Sequence, residues 1–596
     1  MIHLFILTIG PVQGFISQAR KTKDLYAGSL LLSSLARKAF ELLEKKTGKP
    51  NIELIFPAFY DKSGKPLSSN PNRFAAIIKS KESDEVQNIG KAVKQELIDQ
   101  VFIDEAIAKL KTVAGFKIEH ESIARKQLGS LLEIYWAAMP FEENNYQHAY
   151  SKLESYLGGI KNLREVSPLE EAGRKCNVDG IRNVVFYKPV LDNKGGEKMS
   201  PSSLLTDYVK LNKTDSRLTP GEGLSAVSMY KRLTDLEFPS TADIALMHLA
   251  NDIKSYQEYK DYVSLFRKDD FDGQLLFEEN VTKEYLNKQG LGYAIDNAGA
   301  INVVEEKYKA LVNKSGKFQP SYYAVLVFDG DHMGQWLSGS FLKDASKLKD
   351  FQIRLRNLLM EYSQWATGYL IAPKGRAVYS GGDDFLGFVN LHHLFEVLKE
   401  MREQFHAKIS QPLMKEETQF KIKDGSVFSF SAGVAIAHYK QPLSVALEEA
   451  RNAEKIAKKT RDSFAISVIR HSGGITRSVQ PFGADRKAYT EAMHFISEQI
   501  KEKNFSNKFI HNLIKETRNW QKADPREMFD LEVSRLIKRA GNDVSKDVES
   551  KMTKNVSVLT QNGGAVLAKD LIENTTSTLR VLDFIQRQTK TGESDE

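Results

Sequence analysis

The sequence predicts an α+β protein built around two similar modules of strands and helices. Near the N-terminus, a short apolar run, a glycine–proline turn, a long helical pattern and two further β-like runs follow one another. The same order returns after residue 320. A chain of 596 residues is also too long for a single hydrophobic core, so several domains are expected.

The first module has the order β-α-β-β-α-β, which is typical of a ferredoxin-like, palm-type sheet. Its first strand is predicted at residues 2–9 and closes at Gly10-Pro11. A single long helix is predicted from Gly14 to Lys46. The later elements are β-like runs at 53–59, 73–78 and 131–139, with a helical stretch at 83–111.

The second module repeats this order around the stretch AVYSGGDDFLGF. Its predicted elements are strand 322–328, a helical segment at 345–368, strands 377–380 and 385–389, helix 393–408, strand 427–437 and helix 445–459. The chain thus divides into four regions: a first palm domain (1–160), a mostly helical domain (161–300), a second palm domain (301–475) and a helical C-terminal domain (476–596).

Composition excludes several classes of protein. The net charge of +7 arises from 84 basic and 77 acidic residues, which is too dilute to indicate nucleic-acid binding over the whole surface. The single cysteine, Cys176, excludes an intrachain disulfide and a zinc site made of several thiolates. No apolar run approaches the roughly 18 residues of a membrane span, and the N-terminus lacks a signal-peptide pattern. We therefore expect a cytoplasmic protein.

The first candidate site residues are Asp329 and Asp331, at the end of the strand that opens the second module. Residues two apart face the same side of an extended chain, so both carboxylates can approach one cation, joined by the carbonyl of Gly330. An EF-hand loop does not fit, because the twelfth position is Ser340 rather than glutamate. A turn in which the aspartates cap their own backbone remains the alternative.

A second acidic pair, Asp383 and Asp384, occupies the turn between the next two strands. In the β-α-β-β order this hairpin lies beside the first strand, so four carboxylates are predicted at one sheet edge. Such a group of acids repels itself unless cations lie among it, and oxygen ligands favour Mg²⁺ or Mn²⁺. Gly381 and Gly382 would let backbone approach a nucleotide, although Gly-Gly is also a favoured hairpin turn.

The helix at 445–459 carries small residues at three- and four-residue spacing, Ala450, Ala453 and Ala457. This spacing predicts close packing on the sheet, which would leave Lys458 near the helix end to reach a triphosphate. A solvated lysine face is the alternative, and it is the preferred interpretation for Lys455 and Lys459.

The run from SGGDDF to SAGVAIA and the alanine–lysine helix resembles the GGDEF and polymerase palm superfamily. The motifs IGPVQGFISQARKTKDLYAGSLLLSSLA, FDGDHMGQWLSG, GEGLSAVSMYKRL and FPSTADIA resemble, more narrowly, the large subunit of type III-B CRISPR effector complexes, the Cmr group. The resemblance covers most of the chain up to about residue 475. The helical C-terminus matches only in general character.

That resemblance implies a synthetase activated by target RNA that binds ATP between its two palms. By position, Asp329, Asp383 and Asp384 would be catalytic and hold the metals, with Gly330 and Asp331 assisting. The residues implied in nucleotide binding are Ser380, Gly381, Gly382 and Lys458 in the second palm, and Gly10, Gln13, Gly14, Arg20, Lys21, Gly28 and Ser29 in the first.

The sequence departs from the family pattern at two points. No histidine is followed by aspartate and the palm begins at Met1, so no HD nuclease is expected. Where relatives carry a four-cysteine zinc site, this chain has Cys176 alone, with Asp179 at the position of the second thiol. One thiolate cannot build such a site, so no zinc is expected.

The expected reaction is transfer of AMP units from ATP to give cyclic oligoadenylate, a second messenger of antiviral defence. Three alternatives stay open: transfer of AMP to S-adenosylmethionine at the same site, a diguanylate-cyclase-like use of GTP, and a catalytically silent scaffold. The resemblance also implies guide RNA, target RNA and other Cmr subunits as partners, with the C-terminal helices contacting a small helical subunit.

Overall fold

The computed structural model describes most of the chain. The residues left out are 164–168, 170, 192–196, 199–207, 213–214, 235, 268–269, 296–299, 319, 416, 484, 486, 503, 506, 518–524, 541–543, 560–567 and 590–596. No helix among the described residues is both long and apolar enough to cross a membrane.

The first palm is a four-stranded antiparallel sheet in the order β2-β3-β1-β4. This is the predicted ferredoxin-like arrangement. Its elements are β1 (Ile2–Gly10), α1 (Val12–Ser17), α2 (Thr22–Thr47), β2 (Ile52–Phe56), β3 (Arg73–Lys79), α3 (Ser83–Glu96), α4 (Glu105–Leu110), α5 (Ile118–Gly129), β4 (Glu133–Pro140) and α6 (Tyr146–Asn162).

The single long helix predicted after β1 is wrong, because the chain breaks between α1 and α2. At the break, the buried ammonium of Lys231 donates hydrogen bonds to the carbonyls of Phe15 and Gln18, the latter at 2.9 Å. These bonds satisfy backbone groups that a helix end leaves free. A tertiary contact from more than 200 residues away therefore compensates for the interruption, and local periodicity cannot reveal it.

The region between the palms combines helices with very short strands. Its elements are β5 (Phe186–Tyr187), β6 (Val190–Leu191), β7 (Glu197–Lys198), β8 (Val209–Lys210), β9 (Gly223–Leu224), α7 (Ala226–Arg232), α8 (Thr241–Ile253), α9 (Gln257–Val263), α10 (Lys283–Gln289) and α11 (Ala300–Ser315). Helix α7 packs on the first palm, where Arg232 forms a buried two-bond ion pair with Asp24 at 2.7 Å.

The second palm contains the sheet β11-β12-β10-β13-β14-β15, in which only the β13–β14 pair is parallel. Its elements are β10 (Tyr322–Gly330), α12 (Met333–Leu337), α13 (Leu348–Tyr369), β11 (Gly375–Ser380), β12 (Phe385–Val389), α14 (Leu394–Phe405), α15 (Gln411–Lys415), α16 (Glu417–Phe420), β13 (Phe430–His438), α17 (Leu443–Ala457), β14 (Ser463–Ile469) and β15 (Ile475–Pro481). The sheet thus continues past residue 475, where the sequence analysis places the start of the helical C-terminal domain.

Helices follow the second sheet: α18 (Ala488–Lys501), α19 (Asn507–Thr517), α20 (Pro525–Ala540), α21 (Lys546–Val558) and α22 (Ala568–Thr589). Helix α22 packs along β15, where Asn574 exchanges hydrogen bonds with the backbone of Val479 at 2.9 and 2.6 Å. The predicted class, α+β with two ferredoxin-like palms and helical middle and C-terminal parts, is confirmed.

The two palms share one hydrophobic core. Leu4 and Ile6, which lie on one face of β1, belong to the same buried cluster as Leu355 and Leu358 of α13. Polar contacts cross the same boundary: the Tyr146 hydroxyl donates to Gln352 Oε1 at 2.6 Å. This shared core fixes the position of one palm against the other.

Candidate active site

The end of β10 and the Gly-Gly-Asp-Asp turn lie directly beside each other, as the strand order predicts. The amide of Gly330 donates to the carbonyl of Asp383 at 3.0 Å. A Cβ added to Gly330 would lie 3.0 Å from the Asp383 Cβ, which is tighter than an ordinary contact. Glycine at position 330 therefore permits the strand to approach the turn this closely.

Asp329 is half-buried and forms an ion pair with Lys458. Lys458 Nζ also lies 3.2 Å from Glu454 Oε1, one helical turn earlier in α17. Burial, followed by repulsion from Arg461, lowers the pKa of Lys458 to about 8. Lys458, which is predicted to bind phosphate, therefore contacts Asp329, which is predicted to bind metal. The charge of the lysine is balanced by Asp329 and Glu454.

Asp331 is placed differently from the other three aspartates. Its carboxylate is 1% exposed and accepts hydrogen bonds from the Ser429 and Ser431 hydroxyls at 2.7 and 2.8 Å. The amide of Asp462 and the guanidinium of Arg461 donate to it at 3.0 and 3.4 Å. A carboxylate offers about four acceptor positions, and these donors fill them. This geometry favours a role for Asp331 as a bracing acid, one that holds neighbouring segments together through hydrogen bonds. No acceptor position of its carboxylate is left over for the predicted metal contact.

The acids of the turn are crowded. Burial raises the pKa of Asp383 to about 6, against a lowering by the Arg73 charge. The pKa of Asp384 is raised to about 7 by the surrounding protein and by the charges of Asp383 and Glu454. The Asp384 side chain is exposed, so water screens part of this effect. The direction follows from the two neighbouring carboxylates, which make a cation favourable here.

Contacts and backbone conformation within the protein explain why glycine occupies positions 381 and 382. Gly382 has φ of +110°, a conformation that L side chains rarely adopt. A Cβ on Gly381 would lie 1.9 Å from the Tyr379 hydroxyl, so the tyrosine ring occupies that space. Ser380 is 2% exposed, and its Oγ has no hydrogen-bond partner among the described residues. Their predicted contact with a nucleotide stays a prediction.

Close packing of α17 on the sheet is as the small residues predict. Ala450, Ala453 and Ala457 are fully buried. At Gly433 in β13, an added Cβ would meet the carbonyl oxygen of Ala450 at 2.1 Å and the amide of Glu454 at 2.2 Å. This contact fixes the distance between α17 and the sheet, and thereby the positions of Glu454 and Lys458 at the site.

The predicted residues of the first palm fall into two groups. Gln13, Gly14, Arg20 and Lys21 are exposed around α1 and the start of α2, and Gly10 ends β1 half-buried. By contrast, Gly28 and Ser29 are buried within α2. The Lys231 side chain packs 3.4 Å from a Cβ added to Gly28, so this glycine makes room for α7. Nucleotide contact by this set stays a prediction.

The Cys176 loop is held together by a carboxylate. Cys176 is 2% exposed, as expected of a small core residue. Asp179 accepts from the amides of Ile181 and Arg182 at 2.9 Å and from the Ser225 hydroxyl at 2.6 Å. The aspartate at the position of the family's second thiol thus organises this loop through hydrogen bonds.

The donor set can be tested against the predicted Mg²⁺ or Mn²⁺. Among the described residues, no group of three or more histidine, cysteine, aspartate or glutamate side chains is arranged to hold a metal ion. Magnesium is often held by only one or two carboxylates together with substrate phosphates. Asp329, already paired with a cation, and the crowded acids of the turn fit that mode. Metal binding by the predicted aspartates stays a prediction.

Sequence reasoning missed Tyr379 and Glu454, which surround the turn. The Tyr379 hydroxyl lies over Gly381 of the turn. Burial and the nearby charges of Asp384 and Asp383 raise the Tyr379 pKa well above its usual value. Glu454 could have been found, since it precedes Lys458 by one helical turn. Arg73 had no local signal, because it reaches the site from β3 of the first palm.

Comparison with known protein families identifies two parts of the chain. The model for Cas10/Cmr2, second palm domain, matches residues 322–465. The model for CRISPR-associated protein Cmr2, N-terminal, matches residues 4–104. The first match contains all four aspartates considered above, and the second contains the predicted first-palm residues.

Whole-chain similarity agrees with these matches. The CRISPR system Cmr subunit Cmr2 of Pyrococcus furiosus is 24% identical over 641 residues, covering 92% of this chain and 70% of that protein. A chain of the apo type III-B Cmr-beta structure aligns over 98% of this chain and 81% of its own length, with TM-score 0.64 and 15% identity. The Cmr-beta structure bound to cognate target RNA gives TM-score 0.64, 14% identity and coverage of 98% and 83%. At such identities the structural likeness shows a shared fold.

Proposed function

We propose that this chain, which matches Cas10/Cmr2 models in its second palm and N-terminal region, is the large, nucleotidyltransferase subunit of a type III-B complex. In this proposal it is activated by target RNA and joins AMP units from ATP into cyclic oligoadenylate. The observation that supports it most is the junction of β10 with the Gly-Gly-Asp-Asp turn, where Gly330 and Asp383 share a 3.0 Å hydrogen bond.

In the proposed reaction, the 3′-hydroxyl of an acceptor nucleotide attacks the α-phosphorus of ATP. A P–O bond forms to that hydroxyl, the bond between the α- and β-phosphates breaks, and pyrophosphate leaves. Bound Mg²⁺ or Mn²⁺ would neutralise phosphate charge and ease loss of the hydroxyl proton. Asp329 and the Asp383–Asp384 pair would hold the cation, on the pattern of carboxylates that share a site with substrate phosphates.

The chain's own residues supply the remaining charges. Lys458, which is paired with Asp329, would transfer its interaction to a phosphate oxygen of ATP. When Asp329 binds the metal ion instead of Lys458, Glu454 would remain to balance the charge of the lysine. Glu454 already contacts the Lys458 ammonium at 3.2 Å. The exposed Arg20 and Lys21 of the first palm are proposed to meet the acceptor.

The decisive experiment uses the chain assembled with its partner subunits, guide RNA and target RNA. We expect Asp383→Ala with Asp384→Ala to remove at least 99% of the product formed from ATP and Mg²⁺, on the order of the effect of losing catalytic charge stabilisation. Assembly and RNA binding should be retained. A matched control is Glu142→Ala with Glu143→Ala, two adjacent exposed acids outside the site, which should keep full activity.

The identity of the product separates the alternatives. Reactions with ATP alone, with ATP plus S-adenosylmethionine, and with GTP are compared by mass spectrometry. A product that forms from ATP alone supports cyclic oligoadenylate, and a product that requires S-adenosylmethionine replaces it with the methionine adduct. Unchanged synthesis in the double-alanine variant would overturn the site assignment. No product from a fully assembled, RNA-bound complex would favour the scaffold.

A further inference from the structure

The hairpin that carries Asp383 and Asp384 lies at the edge of the second-palm sheet. Strand β11 is the outermost strand, so one of its sides has no neighbouring strand. Ser380, its last residue, pairs with Phe385, and the next amide, Gly381, donates to Asp384 at 2.8 Å. Because paired residues alternate along an antiparallel ladder, the amide and carbonyl of Ser380 point away from β12.

Both outward groups of Ser380 have partners, and these come from different domains. Its amide donates to Ser69 Oγ at 2.9 Å, and Ser69 belongs to the β2–β3 loop of the first palm. Its carbonyl accepts from Ser363 Oγ at 2.6 Å, and Ser363 lies on α13 of the second palm. Two serine hydroxyls thus take the place of a neighbouring strand.

The first-palm side of this connection is itself fixed. The amide of Asn70 donates to Ser33 Oγ at 3.1 Å, and the Asn70 carbonyl accepts from the same hydroxyl at 3.3 Å. Ser33 lies on α2, and both side chains are 2% exposed. A continuous series of contacts therefore runs from α2 through the loop and β11 to α13.

Ser380 is the last residue before the turn that is fixed on both of its outward backbone groups. Gly381 and Gly382 follow it and have no side chains that could anchor them to neighbouring elements. Only these two residues separate Ser380 from Asp383. A displacement of Ser380 therefore acts on the turn against the Gly330–Asp383 and Gly381–Asp384 hydrogen bonds, and a misplacement of the acids by about 1 Å can cost about 100-fold in rate.

We propose that Ser69 of the first palm is a positioning residue for the second-palm site, so that the seating of one palm against the other controls how the turn presents Asp383 and Asp384. The proposal rests on the proposed nucleotidyltransferase function and adds a means of regulating it. A shift of the β2–β3 loop of the first palm would break the Ser380–Ser69 hydrogen bond and relax the turn. Restoring that bond would restore the active arrangement.

The test uses the RNA-bound complex with Ser69→Ala, and Ser68→Ala as the matched control. Ser68 is the adjacent exposed serine of the same loop. We expect Ser69→Ala to lower kcat about 10-fold or more, to change KM for ATP less than about twofold, and to raise the Mg²⁺ concentration needed for half-maximal rate. Ser69→Thr, which keeps the hydroxyl, should recover most of kcat. Ser68→Ala should match the unaltered protein.

A second measurement needs no catalysis. Hydrogen–deuterium exchange of a peptide spanning 377–388 should be faster in Ser69→Ala than in Ser68→Ala, because the Ser380 amide loses its acceptor. Equal exchange in the two variants, or an unchanged kcat, would overturn the proposal. If the unaltered complex makes no product, the proposed function fails, and the exchange comparison still decides whether the connection exists. The exchange comparison is also made on the full chain without its partner subunits, so that it still decides the proposal if Ser69→Ala does not assemble.

Discussion

At the scale of single residues, the candidate site is a balance of charges rather than a cluster of acids. Asp329 is neutralised by Lys458, Asp331 is enclosed by hydroxyl and amide donors, and the turn acids remain crowded and only weakly compensated. The sequence found every one of these aspartates. The family resemblance gave Asp331 an assisting role at the metal, whereas its enclosure by donors depends on Ser429 and Asp462, which lie about 100 or more residues away.

The raised pKa values lead to a prediction about stability. The pKa values of Asp383 and Asp384 rise to about 6 and about 7 from the ordinary value of 3.8, so the folded chain binds these protons more tightly than the unfolded chain. The stability they contribute is therefore fully present below about pH 3.8 and is lost progressively as pH rises through about 6 and about 7. Compared with Asp383→Asn plus Asp384→Asn, the metal-free protein should lose about 1–2 °C more in Tm between pH 5 and pH 8.

Differential scanning calorimetry of both proteins across this pH range measures the effect. Adding Mg²⁺ at pH 8 should raise the Tm of the unaltered protein and leave that of the double-asparagine protein unchanged. Parallel curves for the two proteins would contradict the raised pKa values.

At the scale of elements, strand and helix order was predictable and element ends were not. Strand β12 begins and ends where the sequence predicts, since an apolar run is bounded there by a turn and Asn390. The break between α1 and α2 was missed, because its carbonyls are satisfied by Lys231 from another region. Strands β14 and β15 were also missed: Ser463–Ile469 follows a helix closely, and Ile475–Pro481 has few strongly apolar residues.

The contact between β13 and α17 gives a prediction at this scale. Gly433→Ala should destabilise the protein by about 3 kcal/mol, because the new Cβ would meet backbone atoms at 2.1 and 2.2 Å and force the helix outward. Glu454 and Lys458 would move with the helix, so product formation should also fall. Denaturant unfolding and the ATP assay measure the two effects.

Gly474→Ala serves as the control, since nothing lies within 4 Å of a Cβ there. It should change neither stability nor activity appreciably. Equal behaviour of the two variants would mean that α17 can shift without cost.

At the scale of the whole molecule, the two palms and the region between them form one connected structure. The shared core joins Leu4 of the first palm to Leu355 of the second. Helix α7 is bound to α2 by the buried Arg232–Asp24 pair. These long-range contacts bring the edge strand β11 of the second palm beside the β2–β3 loop of the first palm. The second-palm site therefore has Ser69 of the first palm as a neighbour.

Lys231 tests this connection. Its Nζ is fully enclosed, lies 4.1 Å from the centre of the Phe15 ring and satisfies two carbonyls at the α1–α2 break. Lys231→Met should cost about 2 kcal/mol of stability, because the buried Phe15 carbonyl and the half-buried Gln18 carbonyl would both lose this donor. Limited proteolysis should then cut sooner near residues 18–21. Lys254→Met, at an exposed lysine, should behave as the unaltered protein, and equal cleavage rates would contradict this role.

The sequence was enough to predict the fold class, the two palm modules and the aspartates at the strand end and turn. It could do so because strand order, turn glycines and helix spacing are local properties of the chain. The folded structure was needed to show that Lys458 neutralises Asp329 and that hydrogen-bond donors enclose Asp331. It also shows that Ser69 holds the backbone just before the acidic turn of the stretch AVYSGGDDFLGF. Those outcomes depend on contacts between residues about 100 to 300 positions apart, which packing of the shared core brings together.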